Sequence, residues 1–126
     1  IKQAIWYMRG ETFYQFYRLF NEIAAQIEEK IDAIALRISA LASTPLVSIR
    51  SVAQHSQLPA YSFEIVPRDE NLKALIDRVS FYGRAVRLGI EQAADLEDAD
   101  TVDLYTEISR TVDKHLWLLE SHLLPQ

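Results

Sequence analysis

Residues 13–41 read FYQFYRLFNEIAAQIEEKIDAIALRISAL and contain neither glycine nor proline. Their apolar residues recur in steps of three and four, which places them along one side of an α-helix. At about 1.5 Å per residue such a helix is about 43 Å long, so it needs long partners to cover its apolar side. The apolar positions are Phe13, Phe16, Phe20, Ile23, Ile27, Ile31, Ile34, Ile38 and Leu41.

The composition is that of a single folded domain of 126 residues, with 49% hydrophobic and 25% charged residues. Cysteine is absent, which excludes disulfides, thiolate metal sites and a cysteine nucleophile, and which is compatible with the cytosol. The net charge is −5, and no run of Lys or Arg provides the basic surface typical of nucleic-acid binding. The longest uncharged apolar stretch, residues 40–49, contains Pro45 and is too short to span a bilayer.

Residues that typically end or cap helices divide the rest of the chain into helical segments. Gly10 predicts the end of a first helix, whose amino-terminal part we expect to precede Ile1, and Pro45 ends the long helix. Thr12 and Thr101 are the predicted N-caps of the long helix and of the last helix. The other helices are predicted at residues 2–9, 47–55, 69–96 and 101–123.

These elements predict an all-α fold, an antiparallel four-helix bundle with a short helix in a long middle connection. Gly83 and Gly89 lie inside the predicted helix 69–96, where each costs about 1 kcal/mol relative to Ala. We expect them to mark a close approach to another backbone, or a kink.

Several motifs are spaced along the whole chain. Residues 5–10 read IWYMRG and residues 32–38 read DAIALRI. The others are Phe13, Phe16-Tyr17, Thr44-Pro45, Leu58-Pro59, DTVDL at residues 100–104 and DKHLW at residues 113–117. These motifs resemble those of the Dps proteins, the mini-ferritins that protect DNA during starvation and oxidative stress. That family has His-Trp-Asn-Val, any residue, and Gly at the first motif, and Asp, any residue, Ile-Ala-Glu-Arg-Ile at the second.

The resemblance implies a ferritin-like bundle that assembles into a hollow homo-oligomeric shell of twelve subunits in the cytoplasm. Members of the family oxidise Fe(II), often with hydrogen peroxide, and store the ferric mineral inside the shell. Their ferroxidase site lies between two subunits. One chain supplies two His, and the other supplies an Asp and a Glu.

Most of those ligands are replaced in this chain. The two His positions correspond to Ile5 and Tyr17, and an acidic position one turn after the second corresponds to Asn21. The Asp is retained as Asp32, whereas the Glu is Leu36. An iron site needs several oxygen or nitrogen donors around one point. We therefore expect Asp32 to be a remnant ligand, with Ile, Tyr and Leu packing a subunit interface instead of binding metal.

Four carboxylates surround the start of the predicted last helix: Asp98, Asp100, Asp103 and Glu107. By resemblance this region lines the three-fold pores through which cations enter the shell, with Asp103 as the principal lining residue. Rings of acids there would concentrate Fe(II). The alternative is purely structural, because acids stabilise the positive amino-terminal end of a helix dipole. Both roles are compatible.

Two further groups of residues have alternative interpretations. His115 and His122 are one heptad apart with Glu120 nearby, and they form either a substitute metal site shared with a neighbouring chain or a pair of interface or surface histidines. The aromatic residues around Trp6 and Tyr17 indicate core and interface packing, with a redox role beside iron as the alternative.

Two functional hypotheses follow. The first is a Dps-like mini-ferritin that stores iron, with a degenerate ferroxidase site and with slow or atypical oxidation if any. The second is a non-catalytic shell or interaction protein, which either forms mixed shells with an active paralogue or compacts DNA through residues preceding Ile1. The stretch itself carries no DNA-binding signal.

Overall fold

The computed structural model describes residues 1–46, 48–62 and 64–125. Within these ranges the chain is helical and contains no strand. Four helices form an antiparallel bundle, and a short helix lies in the middle connection, so the predicted fold class is confirmed. The helices are α1 (Lys2–Tyr7), α2 (Phe13–Ala40), α3 (Ile49–His55), α4 (Arg68–Asp95) and α5 (Ala99–Glu120).

The helices follow one another around the bundle in the order α1, α2, α5, α4. The short α1 lies against α2 and α4, while α5 packs along α4 and also contacts α2. Their inward faces meet in one apolar core, whose burial drives the association of the helices. The core residues are Ala4, Ile5, Met8, Phe16, Phe20, Ile23, Leu72, Leu75, Val79, Val86, Ile108, Val112 and Leu119.

Burial along α2 is uneven. Its predicted apolar side is fully buried at Phe16, Phe20 and Ile23. Farther along the same side, Ile31 is 63% exposed and Leu41 is 53% exposed. The buried positions lie in the first half of α2, against which the six residues of α1 pack.

Close packing between α4 and α5 explains the glycines in α4. A Cβ atom added at Gly89 would lie 2.4 Å from Cε2 of Tyr105, and one at Gly83 would lie 3.1 Å from Cγ1 of Val112. A close approach is present at both glycines, but the predicted neighbour, another backbone, was wrong. It is made by side chains of α5, and not by a neighbouring backbone, because both glycines face α5.

The observed starts of α2 and α5 test the two predicted N-caps, Thr12 and Thr101. Thr12 precedes α2 as predicted, but its side chain makes no capping hydrogen bond. The prediction for Thr101 was wrong, since α5 begins at Ala99 and Asp98 is its N-cap. The Asp98 carboxylate accepts a hydrogen bond of 3.2 Å from the backbone N–H of Thr101, and a carboxylate satisfies the free amides of a first turn effectively.

The remaining boundaries move by a few residues. Helix α1 ends at Tyr7 because Met8 is extended, and Gly10 adopts the left-handed conformation expected of it, with φ of +102°. Helix α3 starts at Ile49 after Ser48, whose side chain accepts a hydrogen bond from the amide of Ser51. The predicted first residue of this helix, Val47, lies outside the described residues.

A buried amide ties α1 to the rest of the bundle. Asn71 in α4 is 1% exposed and donates a hydrogen bond of 2.9 Å to the carbonyl oxygen of Ala4. The Tyr61 hydroxyl, in the connection, donates to the side-chain oxygen of Asn71. Burial raises the pKa of Tyr61 to about 12, so the phenol stays a hydrogen-bond donor throughout the physiological range. One residue therefore fixes α1, the connection and α4 together.

Candidate functional site

The outward side of α2 carries most of the predicted ligand positions. Tyr17 is 44% exposed, Leu36 is 64% exposed, and Asp32 is also exposed. Trp6 of α1, at 66% exposure, lies at the same end as Tyr17. We call Trp6, Tyr14, Tyr17 and Leu36 the outer apolar surface, since each is a large apolar or aromatic residue with more than two-fifths of its area exposed.

Ile5 does not belong to this surface. It is 3% exposed and packs in the core of its own subunit, together with Ala4 and Met8. The expectation that Ile5 packs a subunit interface was therefore wrong. The reason is the helical spacing of residues 4, 5 and 8, which form the apolar stripe of α1 that faces α2 and α4.

Asn21 is engaged within the subunit. Its side-chain oxygen accepts a hydrogen bond of 2.8 Å from Nζ of Lys2, and its amide donates one of 2.8 Å to the carbonyl oxygen of Tyr17. A carboxylate at this position would present two acceptor oxygens and a negative charge. The amide instead links α1 to α2 and, being neutral and already bonded to Lys2, binds a cation more weakly than a carboxylate would.

Asp32 stands alone on the outward side of α2. Across residues 1–46, 48–62 and 64–125, it takes part in no hydrogen bond or ion pair, and no three His, Asp or Glu side chains lie close enough together to hold a metal ion. A single exposed carboxylate binds a divalent cation weakly, since such ions require several oxygen ligands. Within one subunit, the candidate site therefore supplies one metal ligand, Asp32.

Two of the four carboxylates near the start of α5 are held in close ion pairs. Asp98 lies 2.7 Å from Nη2 of Arg37 on α2, and Glu107 lies 2.6 Å from Nζ of Lys30. Hydrogen bonds from Thr101, and then the Arg37 guanidinium, hold the pKa of Asp98 below its usual range. The hydrogen bond and charge of Lys30 lower the pKa of Glu107 in the same way.

The other two carboxylates remain open to solvent. The Asp100 side chain is 87% exposed, with its carboxylate 3.9 Å from Nη1 of Arg37. Asp103 is exposed and has no charged partner within the described ranges. The structure therefore separates the cluster into two acids with a structural role and two that face outward. Sequence reasoning missed the cations, because Arg37 and Lys30 lie more than sixty residues away from their partners.

The histidines do not come together as a metal site. His115 is 1% exposed, so its expected place at a surface or interface was wrong. It lies on the buried stripe of α5 with Val112 and Leu119. His122 is exposed, and its ring packs 4.8 Å from that of Phe16 while Nδ1 contacts the carbonyl oxygen of Leu118 at 2.7 Å. Each imidazole has its own environment.

Comparison with known proteins places this geometry in a family. The family model of the ferritin-like domain matches residues 1–124. The DNA protection during starvation protein of Agrobacterium fabrum is 34% identical over 122 residues, which cover 97% of this chain and 75% of that protein. The chain belongs to the Dps family.

Other Dps relatives are more distant in sequence but share the fold. The DNA protection during starvation protein of Listeria innocua is 22% identical over 124 residues, or 98% of this chain and 80% of that protein. The structure of DpsC from Streptomyces coelicolor matches with a TM-score of 0.93 at 26% identity, covering 99% of this chain and 73% of that one. Dps from Listeria monocytogenes matches with a TM-score of 0.92 at 21% identity, over 97% of this chain and 80% of that one.

In the part of this Dps chain that the structure describes, no helix combines the length and apolar character needed to cross a bilayer.

Proposed function

We propose that this Dps chain is a subunit of a hollow, twelve-subunit cytoplasmic shell that sequesters iron and protects against oxidative damage without the usual ferroxidase centre. The observation that carries the proposal is the isolation of Asp32 on the outward side of α2. Of the positions that resemble the ligands of the family, only this one bears a carboxylate or an imidazole. Ile5 is buried in the core, where it faces no other subunit.

The chemistry of the site follows from this ligand count. Oxidation of Fe(II) by hydrogen peroxide is fast when two ions are held close together, because the peroxide accepts one electron from each. A metal pair needs several anionic or imidazole ligands to offset the charges of the two cations. One exposed carboxylate cannot supply them. Iron that enters the shell is therefore oxidised at a rate close to that in free solution.

Assembly is supported by the outer apolar surface. Large exposed apolar patches are rare on monomers and mark association sites, and burying them gains about 25 cal/mol per Å². Tyr17 and Leu36 replace metal ligands with side chains that favour such burial. The same substitutions that remove the metal site thus strengthen packing between subunits and make it independent of metal.

Cation entry is assigned to the exposed acids at the start of α5. Asp103, with Asp100 beside it, carries a negative charge that has no ion-pair partner among the described residues. A symmetric ring of these residues would attract Fe(II) to the shell interior. Asp98 and Glu107 contribute less to this field, because Arg37 and Lys30 offset their charges.

The proposal is tested by adding Fe(II) and hydrogen peroxide to the purified protein and following ferric absorbance. We expect the protein and Asp32→Ala to oxidise iron at the same rate as a protein-free control, within about a factor of two. Asp77→Ala, which removes an exposed carboxylate on α4, is the matched control. Analytical ultracentrifugation should give the mass of about twelve chains. Rapid oxidation that Asp32→Ala abolishes, or a monomeric mass, would contradict the proposal.

The second candidate is a non-catalytic partner in mixed shells, which the outer apolar surface also favours. Co-expression with an active Dps protein that carries an affinity tag would test it. Recovery of both chains in one particle, together with failure of this chain to form shells alone, would favour this function over the first. A gel-shift assay with the natural polypeptide tests DNA compaction separately.

A further inference from the structure

Helix α5 is held in the bundle by two different kinds of contact. Toward α4 it packs closely, since glycines at positions 83 and 89 leave room for its side chains. Toward α2 it is joined by side-chain pairs that follow one another in antiparallel order along α2 and along α5 with its flanking residues. We call these pairs the α2–α5 seam. They are Phe16 with His122, Gln26 with His115, Lys30 with Glu107, and Arg37 with Asp98.

The two ends of the α2–α5 seam differ in their chemistry. In the second half of α2, both pairs are ion pairs, of 2.6 Å between Lys30 and Glu107 and of 2.7 Å between Arg37 and Asp98. The hydrogen bond from Lys30 lowers the pKa of Glu107, and hydrogen bonds from Thr101 and then Arg37 lower the pKa of Asp98. These two pairs therefore stay ionised from neutral pH down to about pH 4.

In the first half of α2, the partner from the α5 side is an imidazole in both pairs. We call this part the histidine end of the seam. Imidazole is the side chain whose charge ordinarily changes between pH 5 and 8. His122 is exposed, so water solvates its charged form. His115 is 1% exposed, so a change in its charge acts on the seam itself.

The surroundings of His115 suit the neutral imidazole. Its Nε2 lies 2.7 Å from the side-chain oxygen of Gln26, whereas Nδ1 is buried without a hydrogen-bond partner among the described residues. Burial, followed by the charge of Lys114 on α5, lowers the pKa of His115, and Glu22 on α2 opposes them. The buried side chains of α4 carry no ionisable group. A proton on Nδ1 would place an unpaired charge in the core, which is costly, whereas separation of the helices would give that proton water as its acceptor.

We propose that acid opens the α2–α5 seam at its histidine end, where α5 separates from the first half of α2 while the ion pairs at the other end hold the two helices together. The opening is local, because the close contacts of α5 at Gly83 and Gly89 are made by carbon atoms of Val112 and Tyr105, and such contacts do not depend on pH. The fold thereby converts a fall in pH into exposure of the core beside His115. This inference rests on no step of iron handling or of shell assembly.

Thiol reactivity tests the local opening, since the chain has no cysteine. Ile23→Cys places a thiol on the buried side of α2, and Val112→Cys places one at an equally buried position of α5 that packs against α4. Each rate of reaction with a dipyridyl disulfide is divided by that of the exposed Lys73→Cys at the same pH, which removes the pH dependence of the reaction itself. The relative rate at position 23 should rise about tenfold between pH 7.5 and 5.5, since each pH unit below about 6.5 favours the open form by up to tenfold. The relative rate at position 112 should not change.

Two variants of the seam connect the opening to His115. His115→Gln retains a donor for Gln26 but takes up no proton, so the relative rate at position 23 should become independent of pH. Gln26→Glu places a carboxylate beside the imidazole and stabilises its charged form, so acid should no longer open the seam in this variant either. His122→Gln is the control, and it should keep the response of the unaltered protein.

Hydrogen exchange at pH 7.5 and 5.5, corrected for intrinsic rates, provides a second measurement on the unaltered protein. Peptides from the second half of α5 should lose protection in acid, whereas those from α4 should keep it. Equal loss in the two helices would indicate global unfolding and would overturn the proposal. An unchanged relative rate at position 23, equal increases at positions 23 and 112, or an acid response that persists in His115→Gln would overturn it as well.

Discussion

The imidazole of His115 donates a hydrogen bond of 2.7 Å from Nε2 to the side-chain oxygen of Gln26, joining α5 to α2 inside the bundle. The Gln26 amide in turn donates to the Glu22 carboxylate at 3.3 Å. This arrangement leaves Nδ1 of His115 unprotonated and buried, without a hydrogen-bond partner in the described residues. A proton added there would find no acceptor.

This geometry predicts that acid destabilises the fold through His115. Burial, followed by the charge of Lys114, lowers the pKa of His115, and the Glu22 carboxylate opposes them. The unfolded chain therefore binds a proton at higher pH than the folded one. Stability should fall as pH drops below about 6.5, with a slope of at most about 1.4 kcal/mol per pH unit.

Denaturant unfolding between pH 7.5 and 5 measures the effect of His115. His115→Gln should flatten the pH dependence in this window, since it removes the titrating group. His55→Gln and His122→Gln, at exposed positions, should retain the slope of the unaltered protein. An unchanged slope in His115→Gln would show that another group is responsible.

A second prediction concerns Asp98, which both caps α5 and pairs with Arg37. Asp98→Ala should lower the melting temperature by several degrees. Asp98→Asn should lower it less, because an asparagine still caps the helix but loses the charge. Asp103 has no charged partner in the described residues, so Asp103→Asn should leave the melting temperature unchanged. Thermal unfolding followed by circular dichroism distinguishes the three variants.

Acid should also weaken the contribution of Asp98 to stability, as it does for His115, although here the group that takes up the proton is a carboxylate. Because the folded state holds the pKa of Asp98 below its usual range, the stabilisation is present above the unfolded pKa of about 4 and is lost as pH falls further. The melting temperatures of Asp98→Asn and the unaltered protein should therefore converge progressively as the pH is lowered below about 4. A difference that persists there would contradict the assignment.

A third prediction follows from the buried amide of Asn71. Asn71→Ala leaves the carbonyl oxygen of Ala4 without its partner and removes one of the two acceptors of the Tyr61 hydroxyl, which keeps its bond to the backbone carbonyl oxygen of residue 71. The expected loss is about 2–4 kcal/mol in the free energy of unfolding, since an unsatisfied buried group costs about 1–3 kcal/mol and a lost hydrogen bond about 1 kcal/mol. Tyr61→Phe, which leaves the bond to Ala4 intact, should cost about 1 kcal/mol. Equal losses in the two variants would show that the bond to Ala4 contributes nothing.

A fourth prediction concerns the contact between Gly89 and Tyr105. Gly89→Ala improves helix propensity by about 1 kcal/mol, but its Cβ would overlap the ring, and overpacking costs about 1–3 kcal/mol. We expect net destabilisation by urea unfolding. Combining it with Tyr105→Leu, which removes the ring edge, should recover the propensity gain relative to Tyr105→Leu alone. Stabilisation by Gly89→Ala by itself would argue against the close contact.

The sequence predicts features that depend on local spacing and misses those that depend on tertiary pairing. The helices follow from apolar periodicity and from residues such as Gly10 and Pro45. The burial of His115 was also predictable, since residues 108, 112, 115 and 119 form one stripe. Its partner Gln26 was not predictable, because no local pattern relates side chains 89 positions apart.

The same limit applies to the candidate site. The replacement of ligands at Tyr17 and Leu36 could be read from aligned motifs, and the exposure of both side chains is consistent with that prediction. The inward orientation of Ile5 could not be predicted from the motifs, because it depends on how α1 rotates against α2 and α4. Likewise, the ion pairs of Asp98 and Glu107 depend on which helices become neighbours, which spacing within one helix cannot specify.

Helix α3, in the middle connection, buries none of its residues. The pair α4 and α5 is joined by only three residues, so its contacts are local and form early. The docking of α2 on α5 must instead close a loop that includes the whole middle connection. Because closure entropy grows only with the logarithm of loop length, lengthening the connection by half would cost about 0.4 kcal/mol. The middle of the chain is thus where its length can change most freely over evolution.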